Sequence, residues 1–184
     1  MPWVSHVLHA RVWQQAPELF DALCFKISPS EAMVMDMQQR LILEHAYSAS
    51  HSGGHTRTSL RGEVTGVYVG IWADAGWTKV LDGSAHALSP WRISAASCSM
   101  AAGRVSYTLG LRGPSWSMDT ACTAGLTACH AACDLVRAGE CELALAIGVN
   151  LNYFPDMFAV MNGFKEHQGR CYSFDNRARP PLMA

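Results

Sequence analysis

The chain has 184 residues with a formal net charge of −1, and its residues are 49% hydrophobic and 16% charged. That length supports one domain with its own core, and a near-neutral balance without a basic block gives nucleic-acid binding little electrostatic support. No run of 18 apolar residues occurs, so no transmembrane helix is expected, and the opening MPWVSHVLHARVWQQ lacks the basic-then-apolar pattern of a secretory signal.

The first 25 residues, with Trp3 and Trp13, read as irregular with some helix. Ser28-Pro29-Ser30-Glu31 then starts a helix. Ser28 is a cap, Pro29 suits the first helical position, and Glu31 completes an S-x-x-E capping box. Ala32, Met35, Leu41, Leu43 and Tyr47 carry the helix to Ser52-Gly53-Gly54, and a loop follows to Arg61. Within it Arg40 and Glu44 are spaced to pair. Residues 66–71, GVYVGI, are short, β-branched and bounded by glycine, the pattern of a buried strand.

Residues 72–90 read as irregular and about 93–109 as an Ala- and Ser-rich helix, closed by the turn 110–114. A strand over 115–120, an elbow at Cys122 and a helix over 123–138 come next, with Gly139 as the stop. Residues 143–149 form another buried strand. The tail from 152 is less regular, with a short helix near 155–161. Strands alternating with helices argue for an α/β fold with a largely parallel sheet.

Seven cysteines, Cys24, Cys98, Cys122, Cys129, Cys133, Cys141 and Cys171, make an odd set without a disulfide framework. This predicts reduced thiols and an intracellular, reducing compartment. Their spacings do not match the paired C-x2-C knuckles of structural zinc, so no metal is expected. Cys129 and Cys133 read as small core residues on one helix face.

Cys122 is different, because it stands where a strand turns into a helix. Such a corner pushes a side chain outward, and the helix start offers unpaired N–H groups and a positive dipole end. Both favour a thiolate, and the same N–H groups can hold a developing oxyanion. Cys122 is thus a candidate acyl-accepting thiol by its position, with Asp119, Thr120, Ala121 and Thr123 as the supporting elbow. Asp119 and Thr120 are expected to hold the turn by local hydrogen bonds. His130 lies two helical turns on, roughly 12 Å along the axis, and reads as a packed core histidine rather than a base.

Three segments resemble the β-ketoacyl synthases, most closely the ketosynthase domains of type I polyketide synthases. They are FDALCFKISPSEAMVMDMQQRLILE, the stretch from SCSMAAGRVSY through GPSWSMDTACTAGL to ALAIGVNL, and GRCYSFDNRA. With GVYVG they cover most of residues 19–178. The resemblance implies a thiolase-like αβαβα sandwich, of which 1–184 would be approximately the N-terminal half, trimmed at both ends. It implies that Cys122 takes an acyl chain from a phosphopantetheine thioester on a partner acyl carrier protein. Decarboxylative condensation with a malonyl-type extender would follow, in polyketide or fatty-acid synthesis. No cofactor would be bound by the chain itself. It also implies a homodimer or membership of a larger complex, with the strand before Cys122 near the two-fold axis.

Departures from the pattern are specific. The family's two further histidines lie in HGTGT-like and K…GH-like motifs, and neither occurs here. None of His6, His9, His45, His51, His55, His86, His130 and His167 has either context. Met37 stands where the family has proline, and Thr123-Ala124-Gly125 where it often has three serines. Phe164 and Phe174 read as core residues, with an acyl channel as the other reading. The expectation is a ketosynthase-type acyltransferase that does not complete condensation as this chain alone. An inactive relic serving as a structural or binding subunit is the alternative, and a thiol hydrolase or transacylase with an improvised base the third reading.

Overall fold

The computed structural model describes residues 7–9, 19–73, 76–154 and 176. The expected helix near 155–161, Cys171, Phe164 and Phe174 lie outside the described residues. Residues 1–151 form one compact unit and 152–184 a second. All described helices and strands belong to the first.

Within the opening segment, Val7–His9 is a strand, β1, where irregular chain with some helix was expected. The helix expected from Ser28 to Ser52 is two helices, α1 (Pro29–Val34) and α2 (Met37–Ser52). Ser28 caps α1 as expected, its hydroxyl accepting the Glu31 N–H at 3.2 Å. The capping box is only half used, because the Glu31 carboxylate pairs with Arg104. Extended backbone at Met35 and Asp36 breaks the helix. Asp36 then restarts it by accepting the Gln38 N–H at 2.7 Å. Arg40 Nε donates to the Met35 carbonyl at 3.0 Å. Burial raises the Glu44 carboxyl above the usual carboxylate range, although the Arg40 charge pulls it down.

A short helix α3 (Arg57–Leu60) lies in the expected loop, closed by a Thr56–Ser59 capping box. Strand β2 (Thr65–Ile71) is buried along its whole length. Helix α4 (Trp77–Asp82) falls where irregular chain was expected, and Trp77 Nε1 donates to the Val34 carbonyl at 2.8 Å. The helix expected over 93–109 is also two, α5 (Arg92–Ala96) and α6 (Ser99–Leu109). The Gln39 amide donates across the break to the Ser94 and Ser97 carbonyls, at 3.3 and 3.0 Å. Strand β3 (Ser115–Met118), a 3₁₀ turn (Ala121–Thr123), helix α7 (Ala124–Arg137) and strand β4 (Leu143–Val149) complete the unit. Gly139, at φ +73°, stops α7 as expected.

The four strands form one parallel sheet in the order β1-β4-β2-β3. Alternation along each strand gives the sheet two faces. Val67, Val69, Ile71, Leu145 and Ile147 join buried residues of α2 and α6, among them Ile42, Leu43, Ala102 and Val105, in the main core. Tyr68 and Ala146 face the other way, onto Ala128, Ala132 and Leu135 of α7.

Candidate active site

Cys122 is exposed, in the 3₁₀ turn that joins β3 to α7. This is the carboxyl end of a parallel strand, where open α/β sheets gather their ligands. The helix proper starts at Ala124, one residue later than expected, and no side chain caps its first turn. The Thr123 and Ala124 N–H groups are taken by the Thr120 and Ala121 carbonyls of the 3₁₀ turn, so the positive dipole end of α7, not an open set of donors, is what the turn presents to an electronegative atom.

Glycines press that helix start onto the sheet. A Cβ at Gly70 of β2 would lie 2.3 Å from the Ala124 carbonyl carbon and 2.7 Å from the Gly125 nitrogen. A Cβ at Gly148 of β4, which pairs with Gly70 in register, would lie 3.1 Å from the Gly125 Cα. At Gly70 only a residue without a side chain allows this approach, and at Gly148 the fit is tight.

Asp119, Thr120, Ala121 and Thr123 are joined by local hydrogen bonds around Cys122. Ala121 adopts φ +51°, in the left-handed region that residues with a Cβ rarely enter. Its N–H donates to Asp119 Oδ1 at 3.0 Å. Asp119 Oδ2 accepts the N–H of Ala73, just beyond β2, also at 3.0 Å. The Ala73 and Ala121 N–H groups hold the Asp119 carboxyl below the usual carboxylate range. Thr123 Oγ1 reaches the Thr120 carbonyl at 2.7 Å and the Thr120 hydroxyl at 3.0 Å. Thr127 adds a further rung, with its hydroxyl 3.1 Å from both Thr120 Oγ1 and the Thr123 carbonyl. On the strand side, Ser117 Oγ accepts the Ala102 N–H of α6 at 3.0 Å.

Ala73, Thr127 and Ser117 were not foreseen. Thr127 had a readable signal, since it stands one helical turn from Thr123. Ala73 had none, because it meets Asp119 from 46 residues away.

His130 is not the packed core residue expected. It is 73% exposed, with Nε2 3.1 Å from Asp134 Oδ2 on the next turn. Among the described residues no hydrogen bond to Cys122 Sγ is seen, and the thiol is exposed. Cys129 and Cys133 are half-buried as expected of small packing residues. Burial pushes the Cys129 thiol up, and the neighbouring Cys133 adds to the shift. Burial also raises Cys141, against the pull of the Gly66 and Leu143 backbone. Among the described residues, no group of three or more His, Cys, Asp or Glu could hold a metal ion. No described helix is long and apolar enough to cross a membrane.

Comparison with known proteins gives the frame for this elbow. Residues 6–183 match the family described as β-ketoacyl synthase, N-terminal domain. The chain is 44% identical over 160 residues to the phenolphthiocerol synthesis polyketide synthase type I Pks15/1 of Mycobacterium bovis, covering 84% of the chain and 7% of that protein. It is 41% identical over 184 residues to the mycoketide-CoA synthase of Mycobacterium tuberculosis, covering 96% of the chain and 4% of that protein. The chain thus spans a small fraction of these relatives. Among solved structures, it resembles the ketosynthase from module 6 of the bacillaene synthase of Bacillus subtilis 168, with a TM-score of 0.72 and 33% identity. That likeness covers 87% of the chain and 27% of the ketosynthase. The parallel sheet and its helices are the N-terminal half of the α/β, thiolase-like ketosynthase fold. By this family match and by its relatives among modular synthases, the chain belongs to the β-ketoacyl synthases, as a type I polyketide synthase ketosynthase sequence.

Proposed function

We propose that the chain carries the acyl-accepting centre of a ketosynthase, with Cys122 as the nucleophile and Asp119, Thr120, Ala121 and Thr123 as its elbow. The observation that supports this most directly is the exposed thiol beside a left-handed residue and an uncapped helix start, at the carboxyl end of β3. The step is a thioester exchange. The Cys122 sulfur attacks the acyl carbonyl of a phosphopantetheine thioester on an acyl carrier protein. The carbon–sulfur bond to pantetheine breaks, and the Cys122 proton ends on the released pantetheine thiol. The helix start favours the tetrahedral oxyanion between the two states.

Condensation asks for more. Loss of CO2 from a malonyl-type thioester leaves an enolate that needs hydrogen-bond donors, and neither histidine motif of the family occurs in these 184 residues. The isolated chain therefore loads an acyl group without completing carbon–carbon bond formation. Mass spectrometry after incubation with an acyl carrier-protein thioester and a malonyl carrier-protein thioester tests both halves of this reading. The expected result is one acyl adduct on Cys122, absent in Cys122→Ala, and no β-ketoacyl product. Loading that persists in Cys122→Ala would refute the nucleophile, and a β-ketoacyl product lost in that variant would refute the incompleteness. A second reading, a structural or binding subunit without chemistry, is favoured by the absence of both histidine motifs from these 184 residues; no adduct, with carrier protein still bound, would select it.

The exposed edge fits association of two copies. Among the described strands β3 pairs only with β2, and Trp116 on it is 61% exposed. An unpaired strand edge is a template for a partner strand. Sedimentation at micromolar concentration should show no stable monomer; a well-behaved monomer would remove this part of the proposal.

A further inference from the structure

We propose that Asp119 is a positioning residue that presents Cys122 by holding Ala121 in its left-handed conformation, and that it takes its own bearing from β2 through Ala73. The inference rests on Cys122 as the acyl acceptor and explains how this chain aims it.

Ala121 has a Cβ and no polar side-chain atom, so nothing of its own offsets a φ of +51°. Something outside the residue must hold that backbone. The Ala121 N–H goes to Asp119 Oδ1 at 3.0 Å, and its carbonyl accepts the Ala124 N–H. The threonine ladder is a separate device. Its hydroxyls meet one another and the carbonyls of Thr120 and Thr123, and none of these bonds involves Ala121.

Asp119 suits the task because an ionised carboxylate offers two acceptor oxygens and no donor. Bonds from N–H groups to a charged oxygen are stronger than neutral ones. One oxygen takes Ala121, and the other takes Ala73, two residues past the end of β2. The start of α7 rests on the same strand at Gly70. The residue before Cys122 and the helix after it are thus both referenced to β2, the strand next to the one that carries the elbow.

A double-mutant cycle separates this role from general structural support. The rate of Cys122 alkylation by iodoacetamide in folded full-length chain is read by mass spectrometry as a ratio to Cys98 in the same sample. Asp119→Ala should lower the ratio about tenfold. In the A121G background, where a positive φ is no longer disfavoured, the same change should cost less than about threefold. Asp119→Asn, which has one acceptor oxygen in place of two, should fall between wild type and Asp119→Ala. Backbone 13C shifts and the amide coupling of Ala121 give a second readout that needs no chemistry. The left-handed signature should be present in wild type and lost in Asp119→Ala.

Equal losses from Asp119→Ala in both backgrounds would overturn the proposal, as would retention of the left-handed signature without Asp119. Wild-type behaviour of Asp119→Asn would overturn the two-armed tie to Ala73. If Asp119→Ala fails to fold, the asparagine variant decides the question, since its alkylation ratio and its Ala121 left-handed signature should both be weaker than in wild type, and full retention of both would overturn the proposal. Neither readout depends on acyl transfer, so a failure of thioester loading leaves this test intact, and a failure here leaves the loading result standing.

Discussion

On one face of the sheet β2 and β4 present Val67, Val69, Ile71, Leu145 and Ile147 to α2 and α6. On the other face the same two strands present Gly66, Tyr68, Gly70, Ala144, Ala146 and Gly148 to α7. Branched side chains fill the first interface and hold its helices off by their bulk. On the second, Tyr68 packs against the middle of α7, while the glycines Gly70 and Gly148 let the backbone at the start of α7 come down onto the strands. The first arrangement yields stability, since each buried aliphatic group contributes on the order of 1 to 3 kcal/mol. The second yields position, because backbone against backbone leaves little freedom at the helix start that follows Cys122. Bulk packing and the seating of the elbow are thus divided between opposite sides of one sheet.

That contrast can be broken experimentally. Leu43 is fully enclosed in the aliphatic core, and Leu43→Ala should cost about 3 kcal/mol in urea unfolding. It should leave the alkylation ratio of Cys122 in the folded fraction unchanged. A change in that ratio would show that the aliphatic face also sets the elbow. Gly70→Ala should cost a similar amount, about 3 kcal/mol, since the overlap is with main chain and is relieved only by moving the start of α7. It should also slow acyl loading of Cys122 about tenfold by lifting the start of α7. Normal loading in a Gly70→Ala protein of reduced stability would remove the positional role of the glycine face.

A smaller effect sharpens the comparison through pH. The folded state holds the Asp119 carboxyl below its usual range through two N–H groups. A group depressed on folding stabilises the protein above its unfolded value, about 4, and that contribution disappears as pH falls through the folded value. Wild type should therefore lose urea stability more steeply than Asp119→Asn on going from about pH 5 to about pH 3. Parallel acid limbs for the two proteins would mean that the carboxylate charge is not what the two N–H groups recognise.

Much of this fold was legible in the sequence, and the rest was withheld for physical reasons. Ser28, Pro29 and Gly139 marked helix ends because capping is local. The break at Asp36 was equally local and readable, since an aspartate can restart a helix wherever its carboxylate meets an N–H two residues on. Periodicity across the break hid it. The break between α5 and α6 was not readable, because it is satisfied by Gln39, 55 and 58 residues away. Glu31 shows the same limit, as Arg104 draws its carboxylate out of a box that local spacing favoured. The corner that carries Cys122 could be read because a strand-to-helix turn is a short-range pattern. The Ala73 arm could not, because a backbone N–H carries no sequence signature.

Gly70, Gly148 and Gly125 also bear on how this sequence can drift. When a core side chain grows, a neighbour can usually shrink to make room, and the pair of changes is tolerated. Here the obstacle to a methyl group at Gly70 is the main chain of Ala124 and Gly125, and at Gly148 it is the Gly125 Cα. Main chain cannot be trimmed by substitution. At Gly70 no second substitution can restore that room, so this position has no compensated route to another amino acid while the helix stays seated, whereas at Gly148 the backbone would have to give by only a few tenths of an ångström.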